Sequence, residues 1–207
     1  MAILFTAASS MRLALTARTD ALSSVNAATL TAWVNMVSFP SASTTIVAVS
    51  TGNAANPRAL MGFASTNQLT AGGRVADPNA YQSINSGSVF PTGSWVHVAA
   101  TLDYANKIIR LYQNGSLIIT SGTLSGWTAA PTGAGTSAGS TIGSASNGGS
   151  QYLNGSVADV RIYDRLLSTD EVLSISNARG QDTSFYRLRH WYPLTEGVAG
   201  VAATVVP

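Results

Sequence analysis

The sequence contains no cysteine, little charge and no long apolar segment. The absence of cysteine excludes disulfides, thiolate catalysis and cysteine-ligated metal sites. No run approaches the roughly 20 apolar residues that a membrane-spanning helix needs. The apolar amino-terminal stretch lacks the basic region of a signal peptide and is interrupted by Arg12. We therefore expect neither a transmembrane segment nor a signal peptide.

Charged residues make up only 10% of the 207 residues, well below the roughly 25% of an average soluble domain. The net charge is +2, Lys107 is the single lysine and the arginines are dispersed. This distribution provides no basic surface that would displace counterions from a nucleic acid, so we expect no nucleic-acid partner. A surface of Ser, Thr, Asn, Gln and Gly suits a protein that is packed into an assembly.

Short segments of alternating apolar and polar residues recur along the chain, separated by Gly, Asn, Pro and Ser. This pattern is typical of a β-sandwich or barrel rather than of β-α-β units. Strands are predicted at 12–18, 29–39 and 95–103, and the last has apolar residues on both faces, as a central, doubly covered strand does. The pair Asn114-Gly115 predicts a hairpin, because a type I′ turn needs positive φ at both central residues.

One short helix is predicted near residues 168–177. Ser168 and Glu171 have the spacing of a capping box, in which the serine accepts a hydrogen bond from a free amide and the glutamate reaches back. Gly180 is placed to end the helix. The predicted fold class is all-β with this single helix.

Several segments resemble one family when they are taken in order. They are LTAWVN at 30–35, WVHVAATLD at 95–103, IRLYQNG at 109–115, IG at 142–143 and YLNGSVADVRIYDRLLSTDEV at 152–172. Together they resemble laminin-G-like, pentraxin-like and concanavalin A-like lectin and glucanase domains, of the kind carried on phage particles. The resemblance implies a two-sheet antiparallel jelly-roll sandwich over residues 1–187.

Residues 188–207 form a predicted C-terminal strand and tail. The segment LRHWYPLTEG within it is similar to one that opens the domain in many relatives. We expect this strand either to belong to the same domain or to exchange with a neighbouring subunit, because an unpaired strand edge is a template for association.

No enzymatic activity is expected. Glycoside hydrolysis needs two carboxylates that flank the scissile bond, and the sequence has only two glutamates, Glu171 and Glu196, of which the first is explained as a helix cap. His97 and His190 lie inside strand-like runs and are expected to be structural rather than catalytic.

The resemblance implies a loop-rim calcium site in relatives, where oxygen ligands include several carboxylates. The corresponding loops of this sequence offer Asn53 and Asn56 in one and Asn147 and Gln151 in the other, and no acidic residue lies between positions 103 and 159. We expect no catalytic residue, no metal and no cofactor. A calcium ion at the degenerate positions Asn53, Asn56 and Gln151 is the alternative.

A metal-free glycan site needs an aromatic ring beside polar side chains. Trp127 and Tyr152, with Asn147 and Gln151 nearby, are the candidate ligand-binding residues, and Tyr81 offers a second aromatic. The structural alternative is that Trp127 fixes a loop to the sandwich and Tyr152 packs on an edge.

Four other conspicuous residues are assigned structural roles. Trp33 and Trp95 lie in predicted strands and are assigned to the core. Asp103 and Asp159 are assigned to turns or strand edges rather than to a ligand site.

The predicted function is that of a non-enzymatic structural or surface protein of a virus particle, as capsid decoration or a tail or fibre component. Its partners would be other virion proteins or copies of itself, partly through residues 188–207, and its location the surface of a virion or another extracellular particle. The alternative is a carbohydrate-binding adhesion module that recognises host or surface glycans.

Overall fold

Two antiparallel β-sheets form a jelly-roll sandwich. The computed structural model describes residues 2–15, 22, 24–50, 57–75, 80–128, 139–145, 149–179, 181 and 184–194. One sheet has seven strands: β1 Ile3–Phe5, β3 Ala27–Met36, β8 Val96–Asp103, β9 Ile108–Gln113, β10 Ser116–Thr120, β12 Gly155–Tyr163 and β13 Leu188–Tyr192. The other has six: β2 Leu13–Ala14, β4 Thr44–Val49, β5 Ala59–Phe63, β6 Gln68–Gly73, β7 Gln82–Val89 and β11 Thr141–Ile142. A short 3₁₀ turn covers Ala7–Ser9 and helix α1 covers Thr169–Ala178.

The seven-stranded sheet runs in the order β1-β12-β3-β8-β9-β10, with β13 also paired to β12, and the six-stranded sheet runs β2-β11-β4-β5-β6-β7. Their inner faces bury one apolar core. In β3, alternate residues Leu30, Ala32 and Val34 are fully buried in it, because successive side chains of a strand point to opposite faces. Each buried side chain the size of Leu or Val stabilises the fold by about 1.5–3 kcal/mol.

Strand β8 is central and covered on both faces, as its sequence predicted: all eight of its residues are buried. Val98 and Ala100 face the inter-sheet core. On the opposite face, Ala99 packs with Val172 and Ile175 of α1 in a second, smaller core. The helix therefore lies on the outer face of the seven-stranded sheet.

The predicted hairpin joins β9 and β10. Asn114 and Gly115 have φ values of 49° and 80°, and Gln113 pairs with Ser116 across the turn. Both central residues thus have the positive φ of a type I′ turn, which confirms the prediction.

The predicted capping box is present at the start of α1. The Glu171 amide donates to the Ser168 hydroxyl at 3.2 Å, and the Ser168 amide donates to Glu171 Oε2 at 2.8 Å. The helix ends at Ala178, and the left-handed residue after it is Arg179, with φ 49°. Gly180, the expected terminator, lies outside the described residues.

The C-terminal strand pairs within its own chain. β13 lies antiparallel to β12, with Arg161 opposite Trp191 and Val160 opposite Tyr192. β1 pairs with residues 155–157 of the same edge, so β1 and β13 lie end to end along β12. Exchange of this strand with a neighbour stays a prediction, and residues 195–207 lie outside the described part of the chain.

Of the predicted strand at 12–18, the described part contains the paired residues Leu13–Ala14, and residues 16–18 lie outside the described part of the chain. Within the described ranges, no helix has the length and apolar composition needed to cross a membrane.

Candidate functional site

Three of the four tryptophans of the chain line one cavity on the outer face of the seven-stranded sheet. Trp33 lies on β3, Trp95 directly before β8 and Trp191 on β13, and the cavity has a volume of about 830 Å³. Its wall also includes the polar side chains of Asn177 and Arg179. We call this cavity the tryptophan groove.

The groove exists because α1 covers only part of the sheet. Along β3, the outward side chains Thr29 and Thr31 are fully buried, whereas Trp33, two residues further along, is only partly buried. Ser176 at the end of the helix lines the groove. The helix therefore ends where the aromatic surface begins.

A bulge in β12 brings a carboxylate into the groove. The pairing of β12 with β3 shifts register between Ala158 and Arg161, and Asp159 has a left-handed φ of 49°. An extra residue in a strand changes which face the following side chains take. Val157 and Val160 consequently both reach the inter-sheet core, and Asp159 lines the groove instead.

The Asp159 carboxylate is held by two partners. Arg161 donates from Nε to Oδ1 at 2.8 Å and from Nη2 to Oδ2 at 3.0 Å. The Trp191 indole donates to Oδ1 at 2.6 Å, and the Arg161 guanidinium lies 5.2 Å from the Trp191 ring centroid. The arginine side chain is fully buried. This network fixes the orientation of Trp191.

The ring surface of the groove is accessible. Trp95 is 43% exposed. Phe185, which is 46% exposed, extends the aromatic surface, and its ring centroid lies 5.5 Å from that of Trp191. Because β3 and β13 pair with opposite edges of β12, Trp33 and Trp191 are two strand spacings apart across the sheet, about 10 Å, and they are also offset along it, since Trp33 lies opposite Ala158 and Trp191 opposite Arg161. The groove is therefore wide enough to contact more than one ring of a ligand.

The structure contradicts the ligand role considered for Trp127, in favour of its structural alternative, and it contradicts the core assignment of Trp33 and Trp95. Trp127 is fully buried, and its indole donates to the Gly73 carbonyl at 3.1 Å, so it provides no platform for a ligand. Trp33 and Trp95, assigned to the core, instead line the groove. Trp95 was predicted to lie in the doubly covered strand, but that strand, β8, begins one residue later, at Val96.

The other predicted ligand residues do not join Trp127. Gln151 accepts a hydrogen bond from the Thr45 hydroxyl at 2.9 Å and lines a second cavity, of about 540 Å³, with Tyr81 on the outer face of the six-stranded sheet. Burial raises the pKa of Tyr81, so its hydroxyl remains protonated. Tyr152 is partly buried. Asn147 lies outside the described residues, and a ligand role for Gln151 and Tyr152 stays a prediction.

The degenerate calcium positions remain untested as a set, because Asn53 and Asn56 lie outside the described residues. In the described ranges no three His, Cys, Asp or Glu side chains come together as a candidate metal site. Asp103 is the last residue of β8 and lies beside the turn that follows, where it accepts hydrogen bonds from the backbone amide and the side chain of Asn106. Asp159, by contrast, is at a bulge within a strand.

The candidate catalytic groups have structural surroundings. His97 is fully buried, with its ring 5.5 Å from Trp33, and His190 lies 6.1 Å from Tyr192. The hydrogen bond from Arg165 lowers the pKa of Glu171 and outweighs the effect of its partial burial. Glu171 therefore stays ionised at neutral pH, as a helix cap requires.

The family comparison matches this architecture. The family model described as the concanavalin A-like lectin/glucanases superfamily matches residues 10–173, most of the chain. The chain belongs to this superfamily. No curated protein is similar in sequence.

Solved structures share the fold at low sequence identity. A heptameric SAP-like pentraxin from Limulus polyphemus is 19% identical, with a TM-score of 0.58 over 80% of this chain and 74% of that one. A putative carbohydrate binding protein from Bacteroides ovatus is 19% identical, with a TM-score of 0.62 over 82% of this chain. This chain covers only 45% of that protein.

A third similar structure is the CBM40 module of the Ruminococcus gnavus IT-sialidase, solved with α2,3-sialyllactose. It is 19% identical, with a TM-score of 0.56 over 73% of this chain and 83% of that one. At this identity the likeness shows a shared fold. The similar structures thus include carbohydrate-binding proteins and an oligomer-forming pentraxin.

Proposed function

We propose that the protein is a non-enzymatic carbohydrate-binding module and that the tryptophan groove is its glycan site. The observation that carries this proposal is the convergence of Trp33, Trp95 and Trp191 on one cavity beside Asn177 and Arg179. Binding sites for small ligands are typically concave, lined by aromatic side chains and supplied with a few polar groups that fix orientation.

The chemistry of the groove suits sugar rings. A pyranose has a face of C–H groups, which packs on an indole ring, and a rim of hydroxyl groups, which need hydrogen-bond partners. Asn177 and Gln181 are exposed at the rim and each has an amide that both donates and accepts. The carbohydrate ligands named for similar structures support the same class of ligand.

A non-enzymatic role fits the described carboxylates. A glycosidase needs an acid and a base or nucleophile at the scissile bond. Asp159, which lines the groove, is paired with Arg161, and Glu171 is paired with Arg165 and caps α1. Neither carboxylate is available to transfer a proton to a sugar.

A position on a virus particle remains a separate prediction. It depended on the low charge of the surface and on a C-terminal strand available to a neighbour. The described part of that strand, Leu188–Tyr192, is paired in its own chain, so a glycan role needs no exchanged strand. A module that binds glycans from a particle surface would satisfy both interpretations.

A glycan array, followed by calorimetric titration of each bound sugar, tests the proposal. Trp95→Ala removes an exposed ring that makes no hydrogen bond with described residues, and we expect the dissociation constant to rise at least tenfold, which is 1.4 kcal/mol. Tyr186→Ala is the matched control, because Tyr186 is 74% exposed and does not line the groove.

The control variant should bind as the wild type does, and both variants should unfold within about 1 kcal/mol of the wild type. Two results would overturn the proposal. One is the absence of glycan binding by the wild-type protein across neutral and acidic sugars. The other is unchanged binding by the Trp95 variant.

A further inference from the structure

The charge of the tryptophan groove comes from two described side chains. Asp159 and Arg179 are the only charged groups among its described lining residues. Their environments differ. The carboxylate of Asp159 is 8% exposed and forms a bidentate pair with Arg161, so together these two residues contribute no net charge.

Arg179 has no such partner. It is exposed, makes no ion pair with another described residue and lies with its guanidinium 6.0 Å from the Trp33 ring centroid. A cation over an aromatic face is oriented by the ring quadrupole while its N–H groups remain available. The left-handed backbone at Arg179 ends α1, and Arg179 itself lines the groove.

Among the described residues, no nearby carboxylate cancels this cation, and Asp182 lies outside them. The carboxyl end of a helix carries a partial charge of about −0.5, which leaves the site positive beside a full cation. Asp170 lies nine residues earlier in α1, about 13 Å along the helix axis, and this distance exceeds the screening length of about 8 Å at physiological salt.

We propose that the groove recognises acidic sugars and that Arg179 binds the sugar carboxylate beside Trp33. This inference rests on the proposed glycan-binding function and specifies its ligand class. A guanidinium presents parallel N–H donors that match the two oxygens of a carboxylate. The exposed ring of Trp95 in the same groove is available to pack on the sugar, so the groove supplies both charge and apolar contact.

Paired ligands that differ only in charge test the inference. Trigalacturonic acid is compared with its methyl ester, and 3′-sialyllactose with the methyl ester of its sialic acid carboxylate, by calorimetric titration of the whole chain. We expect the charged member of at least one pair to bind ten or more times tighter. Which pair shows the preference distinguishes a uronic acid from a sialic acid as the source of the carboxylate.

Arg179→Gln removes the charge and keeps a hydrogen-bonding side chain. We expect it to lower the affinity for the acid to that for the neutral partner and to leave the neutral partner's affinity unchanged. Arg110→Gln, on β9 and outside the groove, makes the same change in net charge and should leave the preference intact. Raising the salt concentration should weaken binding of the acid alone.

The outcomes separate this inference from the function on which it rests. If neutral and acidic sugars bind equally well, the acidic ligand class is wrong and the glycan site stands. If acids are preferred and Arg179→Gln retains that preference, the role of Arg179 is wrong. If neither neutral nor acidic sugars bind, the glycan site itself is wrong. A preference for acids that Arg179→Gln abolishes and Arg110→Gln retains establishes the inference.

Discussion

The Trp191 indole donates a 2.6 Å hydrogen bond to the carboxylate of Asp159. The two residues come from adjacent strands, β13 and β12, and the bond depends on the bulge that turns Asp159 outward. The bulge thus serves the groove directly, because an unbulged strand would direct Asp159 toward the other face.

Asp159→Ala should destabilise the protein strongly. Arg161 would lose its bidentate carboxylate while its side chain stays fully buried, and disrupting a buried ion pair from one side costs about 3–5 kcal/mol. Urea unfolding followed by circular dichroism measures the loss. The double variant Asp159→Ala/Arg161→Leu should recover part of it, because the buried charge is then removed. A loss below about 1 kcal/mol for the single variant would show that the pair does not support the fold.

Two tryptophan substitutions should differ strongly in their effect on the free energy of unfolding. Trp127→Ala removes a fully buried ring and its hydrogen bond to Gly73, so we expect a loss of about 3–5 kcal/mol in the free energy of unfolding. Trp95→Ala should change that free energy by less than about 1 kcal/mol, since the ring is partly exposed. Equal losses in thermal and urea unfolding would contradict this assignment of core and surface.

The sequence predicted the fold because its signals are local. An Asn-Gly pair needs no tertiary context to form a turn, and the capping box at Ser168 is satisfied by residues three positions apart. The apolar residues on both faces of 95–103 likewise indicated the central, doubly covered strand β8. These features depend on periodicity and backbone preference alone.

The groove was missed because its residues meet only in the folded chain. One signal was present in β3. Trp33 is two residues from Thr31 and from Asn35, so it lies on the same face as these polar residues and not on the apolar face. The bulge at Asp159 left one sign in the sequence, the three-residue step between the core residues Val157 and Val160, but a break in alternation does not identify which residue bulges. For Trp127 the structural alternative is correct, since its ring inserts between Tyr104 and the Gly73 backbone; the composition of its loop did not distinguish this position from an exposed one.

Acid should destabilise the end of β13 through Asp164. Burial of Asp164 acts to raise its pKa, but hydrogen bonds from Arg187 and Arg189 outweigh this effect and lower it. A carboxylate whose pKa is lower in the folded state stabilises the fold above its unfolded pKa of about 4 and loses that contribution as pH falls through the folded pKa. Stability should therefore decline below about pH 4.

Asp164→Asn tests this dependence. We expect a loss of about 1 kcal/mol at pH 7, because both arginines are half-exposed and their attraction is screened. The difference from the wild type should shrink as the pH falls toward 2.5. Urea midpoints measured from pH 7 to pH 2.5 show both effects, and a constant difference at every pH would exclude Asp164 as the titrating group.

Three glycine-to-alanine substitutions should rank by backbone strain and contact. At Gly122 the φ angle is ordinary and an added Cβ would meet no atom within 4 Å. Gly93 has a φ of +75°, and an added Cβ would again meet no atom within 4 Å. Gly115 has a φ of +80°, and an added Cβ would lie 2.8 Å from the Cα of Leu173 in α1. Gly122→Ala should be neutral or slightly stabilising, by up to about 0.5 kcal/mol, and Gly93→Ala should cost about 1 kcal/mol for left-handed backbone alone. Gly115→Ala should cost at least about 2 kcal/mol, because the hairpin must also move away from the helix backbone. Urea unfolding of the three variants gives the order directly, and a Gly115 variant as stable as the Gly93 variant would show that the hairpin does not pack tightly against α1.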